Sequence, residues 1–283
     1  MISCKEYTEI KKREITNVVS SFISKGAKHP KLCVIQIGDN PASNSYIRGK
    51  KQDCKEVGVE CEHIHINDYE NVSQSDIVKM IEEKNSDESV DGIIIQLPIP
   101  KIYDVKALQK HISPKKDVDG FRRDSKYKPC TPSGIIDWLK FNNYDFRGKN
   151  AVVLGRSDIV GKPLVDMLIG EGATVVCCNS KTNPEFCMWC TQNSHLTISA
   201  VGIPRKFDHK YFSNKTQIVV DVGINRNDTG KLCGDICSEK FKEYLPNTYL
   251  TPVPNGVGKL TRIKLLENVV EAYRNHLSVL ACG

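Results

Sequence analysis

The sequence predicts a two-domain α/β protein. Short β-branched stretches alternate with helix-length amphipathic segments along the chain, and this alternation indicates parallel sheets flanked by helices. A glycine-bounded loop, residues 155–161, follows one predicted strand and opens a helix, as in the Rossmann-like fold. A length of 283 residues suits one large or two modest domains.

Composition excludes several classes of protein. Hydrophobic residues make up 40% of the chain and charged residues 26%, which is too apolar for a disordered protein. The net charge of +6 is spread along the sequence, without the dense basic patch that a nucleic-acid binder would carry. Apolar runs such as Ile93–Ile95 fall far short of the roughly 20 residues that span a bilayer. The N-terminus is charged almost from its start and has no signal-peptide core. We therefore expect a cytoplasmic protein with neither a nucleic-acid nor a membrane partner.

The twelve cysteines predict free thiols rather than disulfides, because no secretory signal accompanies them. Cys187 and Cys190 form a CxxC pair. A zinc site would need a second cysteine pair or a histidine pair at suitable spacing, and neither is supplied cleanly. We therefore expect no metal.

The first half of the chain begins with a helix, a strand and a second helix. Apolar residues at helical spacing predict a helix over 7–24. A β-branched run over 31–37 predicts a strand that ends in a Gly-Asp-Asn-Pro turn. The segment 42–57 has a helical pattern, with Gly58 at its C-cap.

Two further strands complete this half. Residues 61–66 alternate in polarity like a strand, and Ser73 or Ser75 would cap a helix that runs to about Lys84. The run 92–97 is a third strand, which two prolines stop.

The second half repeats the alternation. Pro132 favours the first turn of a helix, and the later strands are short and β-branched. The predicted elements, in order, are a helix over 131–141, a strand over 150–154, a helix over 162–170, strands over 174–178, 196–200 and 217–221, and a last helix over about 260–279.

The loop from Gly155 to Gly161 is a candidate phosphate cradle, since backbone N–H groups at a helix N-terminus bind phosphate. Its spacing is not GxGxxG and also suits an ordinary βα turn. An NAD site would place an acid at the end of the next strand, but the run 177–182 has none. Arg156 and Ser180 offer positive charge and hydrogen bonds instead, which favours the 2′-phosphate of NADP.

Candidate catalytic residues lie in the first half. Tyr46 and Lys50 are four residues apart on one helix face, and a lysine with a lowered pKa can transfer protons. Gln96 ends an apolar strand, where it would face a ligand crevice. Asp117 and Asp119 place two carboxylates beside a glycine. Taken singly, each feature is also typical of an exposed pair, a buried amide or a solvated turn.

Together these segments resemble the bifunctional methylenetetrahydrofolate dehydrogenase/methenyltetrahydrofolate cyclohydrolase family over nearly the whole chain. Their occurrence in the family's order makes the match specific. The matching stretches are 38–43 with Ser45, Tyr46 and Lys50, then 91–100, 116–121, 129–132, 153–157, 160–163, 221–225 and 251–254.

The resemblance implies roles for four catalytic residues. Lys50 matches the lysine essential to the cyclohydrolase step, and Tyr46 matches the tyrosine that orients the folate. Gln96 matches the glutamine that hydrogen-bonds and tunes that lysine, and Asp119 matches the aspartate that holds the pterin ring.

The resemblance also implies the binding residues. Those expected to bind NADP are Gly155, Arg156, Ser157, Ile159, Ser180 and Ile224. Those expected to bind the substrate are Tyr46, Lys50, Gln96, Leu97, Asp119, Pro254 and Gly256.

The implied enzyme has an α/β catalytic domain and a Rossmann-like NADP domain with a cleft between them. We expect the catalytic domain to cover 1–128, completed by a C-terminal helix over 259–283, and the NADP domain to cover 129–258. The implied reactions are oxidation of 5,10-methylenetetrahydrofolate with NADP and then hydrolysis to 10-formyltetrahydrofolate. The family also implies a homodimer and a role in one-carbon metabolism and purine biosynthesis.

Three departures from the family pattern leave alternatives open. Asn255 and Lys259 replace the usual residues after the Pro-Val-Pro stretch, although asparagine tolerates a positive φ. The 122–128 loop is shorter than the family's, and the usual leading segment before the first helix is missing. The alternatives are another two-domain NADP dehydrogenase, resembling shikimate dehydrogenase, or an inactive folate- or nucleotide-binding relative.

Overall fold

A computed structural model describes residues 2–214, 217–239 and 241–282, with side chains described up to residue 278. The chain forms two compact units. One combines Met1–Thr8 with Thr131–Thr261, and the other combines Glu9–Cys130 with Arg262–Gly283. Residue 283, the end of the predicted last helix, lies outside the described range. None of the described helices has an apolar stretch long enough to cross a membrane.

The unit of residues 9–130 and 262–283 is built on a three-stranded parallel sheet with the order β2-β1-β3. The strands and the helices around them confirm the predicted α/β alternation. Their bounds are α1 (Cys4–Ile23, in this unit from Glu9), β1 (Lys31–Ile37), α2 (Pro41–Val57), β2 (Glu60–Ile66), a 3₁₀ turn (Tyr69–Asn71), α3 (Gln74–Ser86), β3 (Gly92–Gln96), α4 (Val105–His111) and α9 (Val257–Cys282, in this unit from Arg262).

Local sequence fixes the ends of α2 and α3. The Asn40 side chain accepts hydrogen bonds from the first backbone N–H groups of α2, and Gly58 ends that helix with φ +79°. Ser73, rather than Ser75, caps α3 and forms a reciprocal capping box with Asp76. The predicted C-cap of α2 is therefore confirmed.

The sheet register places Gln96 at a functional edge. In the parallel pairing of β1 with β3, Gln36 lies beside Gln96 at the carboxyl ends of the strands. The β1 side chains after Lys31 and all those of β3 are buried, which makes this sheet the core of the unit. The carboxyl edge of such a sheet is where ligands bind in open α/β folds.

The unit of residues 1–8 and 131–261 holds a five-stranded parallel sheet with the order β10-β7-β6-β4-β5, as well as an antiparallel pair. The sheet confirms the predicted strands, and the predicted helix after the glycine loop is α6. The bounds are α5 (Cys130–Phe141), β4 (Asn150–Leu154), α6 (Gly161–Gly170), β5 (Thr174–Cys178), α7 (Pro184–Gln192), β6 (Leu196–Ser199), a 3₁₀ turn (His209–Tyr211), β7 (Ile218–Asp221), β8 (Asn225–Arg226), β9 (Leu232–Cys233), α8 (Phe241–Tyr244) and β10 (Tyr249–Leu250).

Two of the helices that the sequence analysis missed, α4 and α7, begin at capped N-termini. The Asp104 side chain accepts from the N–H groups of Lys106 and Ala107 at the start of α4. The Asn183 side chain accepts from the Phe186 N–H, and Pro184 occupies the first turn of α7. Both helices are short, with 7 and 9 residues, so their apolar periodicity is weak.

Candidate active site

Lys50 and Gln96 form a buried hydrogen-bonded pair. Lys50 Nζ donates to Gln96 Oε1 at 3.0 Å, and the Lys50 residue is only 6% exposed. The Gln96 amide nitrogen donates to the Leu97 carbonyl at 2.8 Å, which turns its oxygen toward the lysine. Burial lowers the pKa of Lys50, because removal from water disfavours the charged ammonium.

Tyr46 lies one helical turn before Lys50, as the spacing predicts. Its ring centroid is 5.6 Å from Lys50 Nζ, within the range of a cation–π contact. The N-terminal turn of the same helix is tied to the end of β3, since Ser43 Oγ donates to the Leu97 carbonyl at 3.3 Å. These contacts bring together four of the predicted site residues: Tyr46, Lys50, Gln96 and Leu97.

Asp119 is the fifth predicted residue of this group, and its charge acts on Lys50. Burial raises the pKa of the Asp119 carboxyl, with the charge of Asp117 adding to the effect and that of Lys50 opposing it. In turn, the negative charge of Asp119 partly offsets the lowering of the pKa of Lys50. A carboxylate and an amine that both tend to neutrality can exchange a proton with a bound substrate.

Cys130 and Asn268 hold the segment that carries Asp119, and the sequence analysis gave neither a role. Cys130 is 1% exposed, and burial raises the pKa of its thiol well above the usual range. The amide nitrogen of Asn268 donates to the Val118 carbonyl at 2.8 Å and to the Lys128 carbonyl at 3.1 Å. Asn268 therefore bridges the two ends of the loop that contains Asp119.

The predicted phosphate loop lies between β4 and α6. Gly155 has φ +109°, and the Ala200 carbonyl leaves no room for a Cβ at this position. Gly161 packs as closely against the backbone of Gly155 and Arg156. The Ser157 hydroxyl accepts from the Gly161 N–H at 3.3 Å at the start of α6. Both glycines are therefore required by the close packing of this loop.

A cavity of about 380 Å³ opens beside this loop, and four of the predicted NADP residues line it: Gly155, Arg156, Ser157 and Ser180. The described lining includes two cations, Arg156 and Lys206, and no aspartate or glutamate. This fits NADP, because a 2′-phosphate needs positive charge where NAD sites place an acid.

Two residues predicted to bind NADP, Ile159 and Ile224, and two predicted to bind the substrate, Pro254 and Gly256, are not among the described residues that line this cavity. Ile159 and Ile224 are 36% and 48% exposed. Pro254 is exposed and Gly256 is buried, and the Pro252 carbonyl leaves no room for a Cβ on Gly256. Asn255 has φ +77°, so it adopts a left-handed conformation, which asparagine tolerates better than most residues.

Three cysteines of the unit of residues 1–8 and 131–261 have no role assigned by the sequence analysis. Cys178 and Cys187 both line the cavity, and Cys190 packs in the same core cluster. A hydrogen bond from the Cys178 thiol lowers the pKa of Cys187 to about 7, and the charge of Lys206 adds to this. Among the described residues, no cluster of three or more histidine, cysteine or acidic side chains could hold a metal ion.

Family models match nearly all of the chain. The tetrahydrofolate dehydrogenase/cyclohydrolase catalytic domain matches residues 2–119, and the NAD(P)-binding domain of the same family matches residues 129–277. The chain belongs to the tetrahydrofolate dehydrogenase/cyclohydrolase family.

Individual members of this family are similar over their full length. The bifunctional protein FolD of Bacillus cereus is 39% identical over 281 residues, which cover 96% of this chain and 96% of that protein. A crystal structure of the bifunctional FolD enzyme of Campylobacter jejuni is 37% identical, with a TM-score of 0.89 over 96% of this chain and 98% of that one. The Trypanosoma brucei FolD, crystallised with NADP and an inhibitor, is 27% identical, with a TM-score of 0.90 over 98% of each chain.

These similarities confirm the family, the two-domain α/β fold class and the enzyme class predicted from the sequence. They support the bifunctional dehydrogenase/cyclohydrolase over both alternatives, the shikimate-dehydrogenase-like enzyme and the inactive relative.

Proposed function

We propose that this chain oxidises 5,10-methylenetetrahydrofolate to 5,10-methenyltetrahydrofolate with NADP and then hydrolyses that product to 10-formyltetrahydrofolate. Family membership supports both reactions. The observation that carries the proposal is the buried Lys50, whose Nζ donates to Gln96 Oε1 at 3.0 Å in the unit that carries most of the catalytic-domain match.

The dehydrogenase step needs orientation rather than an acid or a base. When NADP is bound, its nicotinamide ring supplies the hydride acceptor. Hydride leaves the methylene carbon of the folate, and the lone pair of the adjacent nitrogen stabilises the resulting cation. The contribution of the protein is to hold the two reactants in place, which can account for a large part of a rate enhancement. We assign the phosphates of NADP to the N-terminus of α6 and the 2′-phosphate to Arg156 and Ser180.

The cyclohydrolase step needs proton transfer, and we assign this to Lys50. Water attacks the methenyl carbon to form a C–O bond, and neutral Lys50 accepts one proton from that water. The bond from this carbon to N5 then breaks, N5 takes the proton from Lys50, and the remaining hydroxyl proton goes to solvent. Burial lowers the pKa of Lys50 and so favours the neutral amine that accepts the first proton.

Three further residues complete the proposed site. Gln96 accepts a hydrogen bond from Lys50 and so fixes the direction of the amine. Tyr46 is proposed to orient the folate, and Asp119 to hold the N–H groups of the pterin ring. We propose that Leu97, Pro254 and Gly256 bind the substrate, and that Ile159 and Ile224 bind NADP with the loop residues Gly155 and Ser157.

The domain assignment, quaternary structure and location are also proposals. We assign folate binding to residues 1–128 with 259–283, and NADP binding to 129–258. The family resemblance suggests a homodimer formed through the NADP domains, and light scattering on the purified protein tests this state. We place the enzyme in the cytoplasm, where its product would supply one-carbon units for purine biosynthesis.

A spectrophotometric assay tests the function directly. Purified protein is mixed with 5,10-methylenetetrahydrofolate and either NADP or NAD, and reduced cofactor is measured. Hydrolysis is measured separately as the loss of 5,10-methenyltetrahydrofolate above its spontaneous rate. We expect both reactions, with NADP preferred. Folate binding without turnover in either assay would contradict the proposal and favour a binding protein.

A further inference from the structure

Asp235 is a fully buried carboxylate that binds five hydrogen-bond donors. Its residue exposure is 0%, and the donors are neutral backbone and side-chain groups of the same unit. They are Ser199 Oγ at 3.0 Å, Val201 N at 2.8 Å, Gly202 N at 3.3 Å, Ile203 N at 3.1 Å and Asn225 Nδ2 at 2.9 Å.

These donors come from the ends of two neighbouring strands of the parallel sheet and from the segments that follow them. One is the side chain of Ser199, the last residue of β6, three are the consecutive N–H groups of residues 201–203 after β6, and one is the side chain of Asn225 after β7. Val201 and Ile203 line the cavity of about 380 Å³ next to the phosphate loop. Asp235 is not among the described lining residues, but its hydrogen bonds hold the backbone of Val201 and Ile203, which form part of the cavity wall.

The backbone of Asp235 is itself held by a second buried carboxylate. Asp221, at the end of β7, accepts from the N–H groups of Asp235 at 3.0 Å and Ile236 at 2.9 Å. Gly223 and Gly234 have no room for a Cβ, because the carboxylates of Asp235 and Asp221 lie directly against them. Through these hydrogen bonds the two aspartates connect the ends of β6 and β7 to the segment that forms the cavity wall.

We propose that Asp235 is a positioning residue for NADP, which acts by fixing the 201–203 loop and Asn225 around the cofactor. This inference rests on the proposed NADP role of the cavity. A buried carboxylate with five donors costs free energy to desolvate, and its donors offset that cost only in this one arrangement of the loop. The arrangement is therefore specified before the cofactor binds, which reduces the ordering cost of binding.

The substitution Asp235→Asn tests this reasoning. The asparagine amide keeps the shape but replaces one acceptor oxygen with a donor, so at least two of the five donors lose their acceptor in either amide orientation. The loss of two hydrogen bonds corresponds to a roughly 30-fold loss in NADP affinity if the order of the loop is lost with them. We expect the KM for NADP to rise by roughly 10- to 100-fold, while the KM for the folate substrate changes little.

Thermal unfolding of the whole protein is the control for folding, because Asp235 lies in the unit of residues 1–8 and 131–261 and Lys50 lies in the other unit. Hydrolysis of 5,10-methenyltetrahydrofolate, which consumes no NADP, shows separately that the Lys50 site still works. We expect Asp235→Asn to keep its hydrolysis rate within a few-fold of the wild-type protein. Asp91→Asn is a matched variant, since Asp91 is 5% exposed and accepts a backbone N–H from Lys31 in the other unit. It should not raise the KM for NADP.

Direct titration with NADP separates this inference from the proposed function. If the wild-type protein binds no NADP, the cofactor assignment itself is wrong. If the wild-type protein binds NADP and folded Asp235→Asn binds it equally well, the positioning role is refuted. Should Asp235→Asn fail to fold, the milder double variant Ser199→Ala, Asn225→Ala decides. A raised dissociation constant for NADP, with normal hydrolysis and an unchanged thermal unfolding transition, supports the role, and an unchanged constant refutes it.

Discussion

Replacing Lys50 with methionine is expected to separate the two activities. General acid–base catalysis contributes roughly 10²- to 10⁴-fold, so hydrolysis should fall by that factor, or by about 3–5 kcal/mol of barrier. Methionine nearly fills the volume of the lysine stem, so the substitution leaves little cavity. Gln96 loses a donor to its buried oxygen, which costs about 1–3 kcal/mol of stability. The dehydrogenase step needs no proton transfer, so its rate should change only a few-fold.

The assay compares both reactions in one preparation. Hydrolysis is followed as the loss of 5,10-methenyltetrahydrofolate, and the dehydrogenase as the initial formation of NADPH from 5,10-methylenetetrahydrofolate. Lys51→Met is the matched control, because Lys51 is the next residue of α2 and is exposed. It should leave both rates near those of the wild-type protein. Equal losses of both activities in Lys50→Met, in protein that is fully folded at the assay temperature, would refute the proton-transfer role.

The pH dependence of hydrolysis follows from the same burial. In the proposed mechanism the neutral form of Lys50 accepts the proton, so the rate should rise with pH as the ammonium loses its proton. Because burial lowers the pKa of Lys50, this rise occurs at lower pH than the ordinary pKa of lysine would give. A rise centred on the ordinary value would show that the amine is solvated during catalysis.

Three further predictions concern other parts of the molecule. Arg156→Ala should raise the KM for NADP by roughly 10- to 100-fold and leave the KM for NAD nearly unchanged, because a hydrogen bond to a charged group contributes about 1.5–3 kcal/mol. Arg147→Ala, at an exposed position, is the control. A wild-type preference for NAD would contradict the assignment of the 2′-phosphate to Arg156. Alkylation of Cys187 by iodoacetamide should reach half its maximal rate at a lower pH than that of an ordinary thiol, and NADP should slow it. Cys187→Ser is the control, and a rate that rises only around the pKa of an ordinary thiol would contradict this prediction. Asn268→Ala should lower the free energy of unfolding, measured by denaturant titration, by about 1–3 kcal/mol. It should also raise the KM for folate more than the KM for NADP, because Asn268 holds the loop that contains Asp119. Equal changes in the two KM values would argue against this link.

Local patterns were enough to predict the elements that carry the residues proposed for proton transfer. The i,i+4 spacing of Tyr46 and Lys50 puts both on one face of α2, and the apolar run before Gln96 puts that amide at the end of a buried strand. The contact between Lys50 and Gln96 joins residues 46 positions apart in the chain. Only the family resemblance anticipated that contact, since helical spacing says nothing about which strand end faces the helix.

The supporting residues escaped prediction because their partners are distant in sequence. Asn268 bonds carbonyls 150 and 140 positions away, and nothing in the pattern of a C-terminal helix singles out one buried asparagine. Asp235 follows Gly234, and a Gly-Asp pair in a sequence most often indicates a solvated turn. One signal could have identified Asp235, because Gly234-Asp235 is the second Gly-Asp pair of the sequence that lies near a strand end. The burial of Asp235, however, becomes visible only once the sheet order is known.

The position of Lys50 argues that hydrolysis is a selected activity of this protein. A buried lysine destabilises a fold, because its charged form loses solvation and its lowered pKa records that loss. Asp53, one turn further along α2, pairs with Lys12 Nζ at 2.6 Å and Arg262 Nε at 2.7 Å and so connects the helix to α1 and α9. Hydride transfer alone would make no use of a buried amine. Because methionine carries no charge, Lys50→Met should avoid the desolvation cost of the ammonium, and this offset to the lost Gln96 hydrogen bond should be larger below the lowered pKa of Lys50 than above it. The variant should lose only the reaction that needs a proton acceptor.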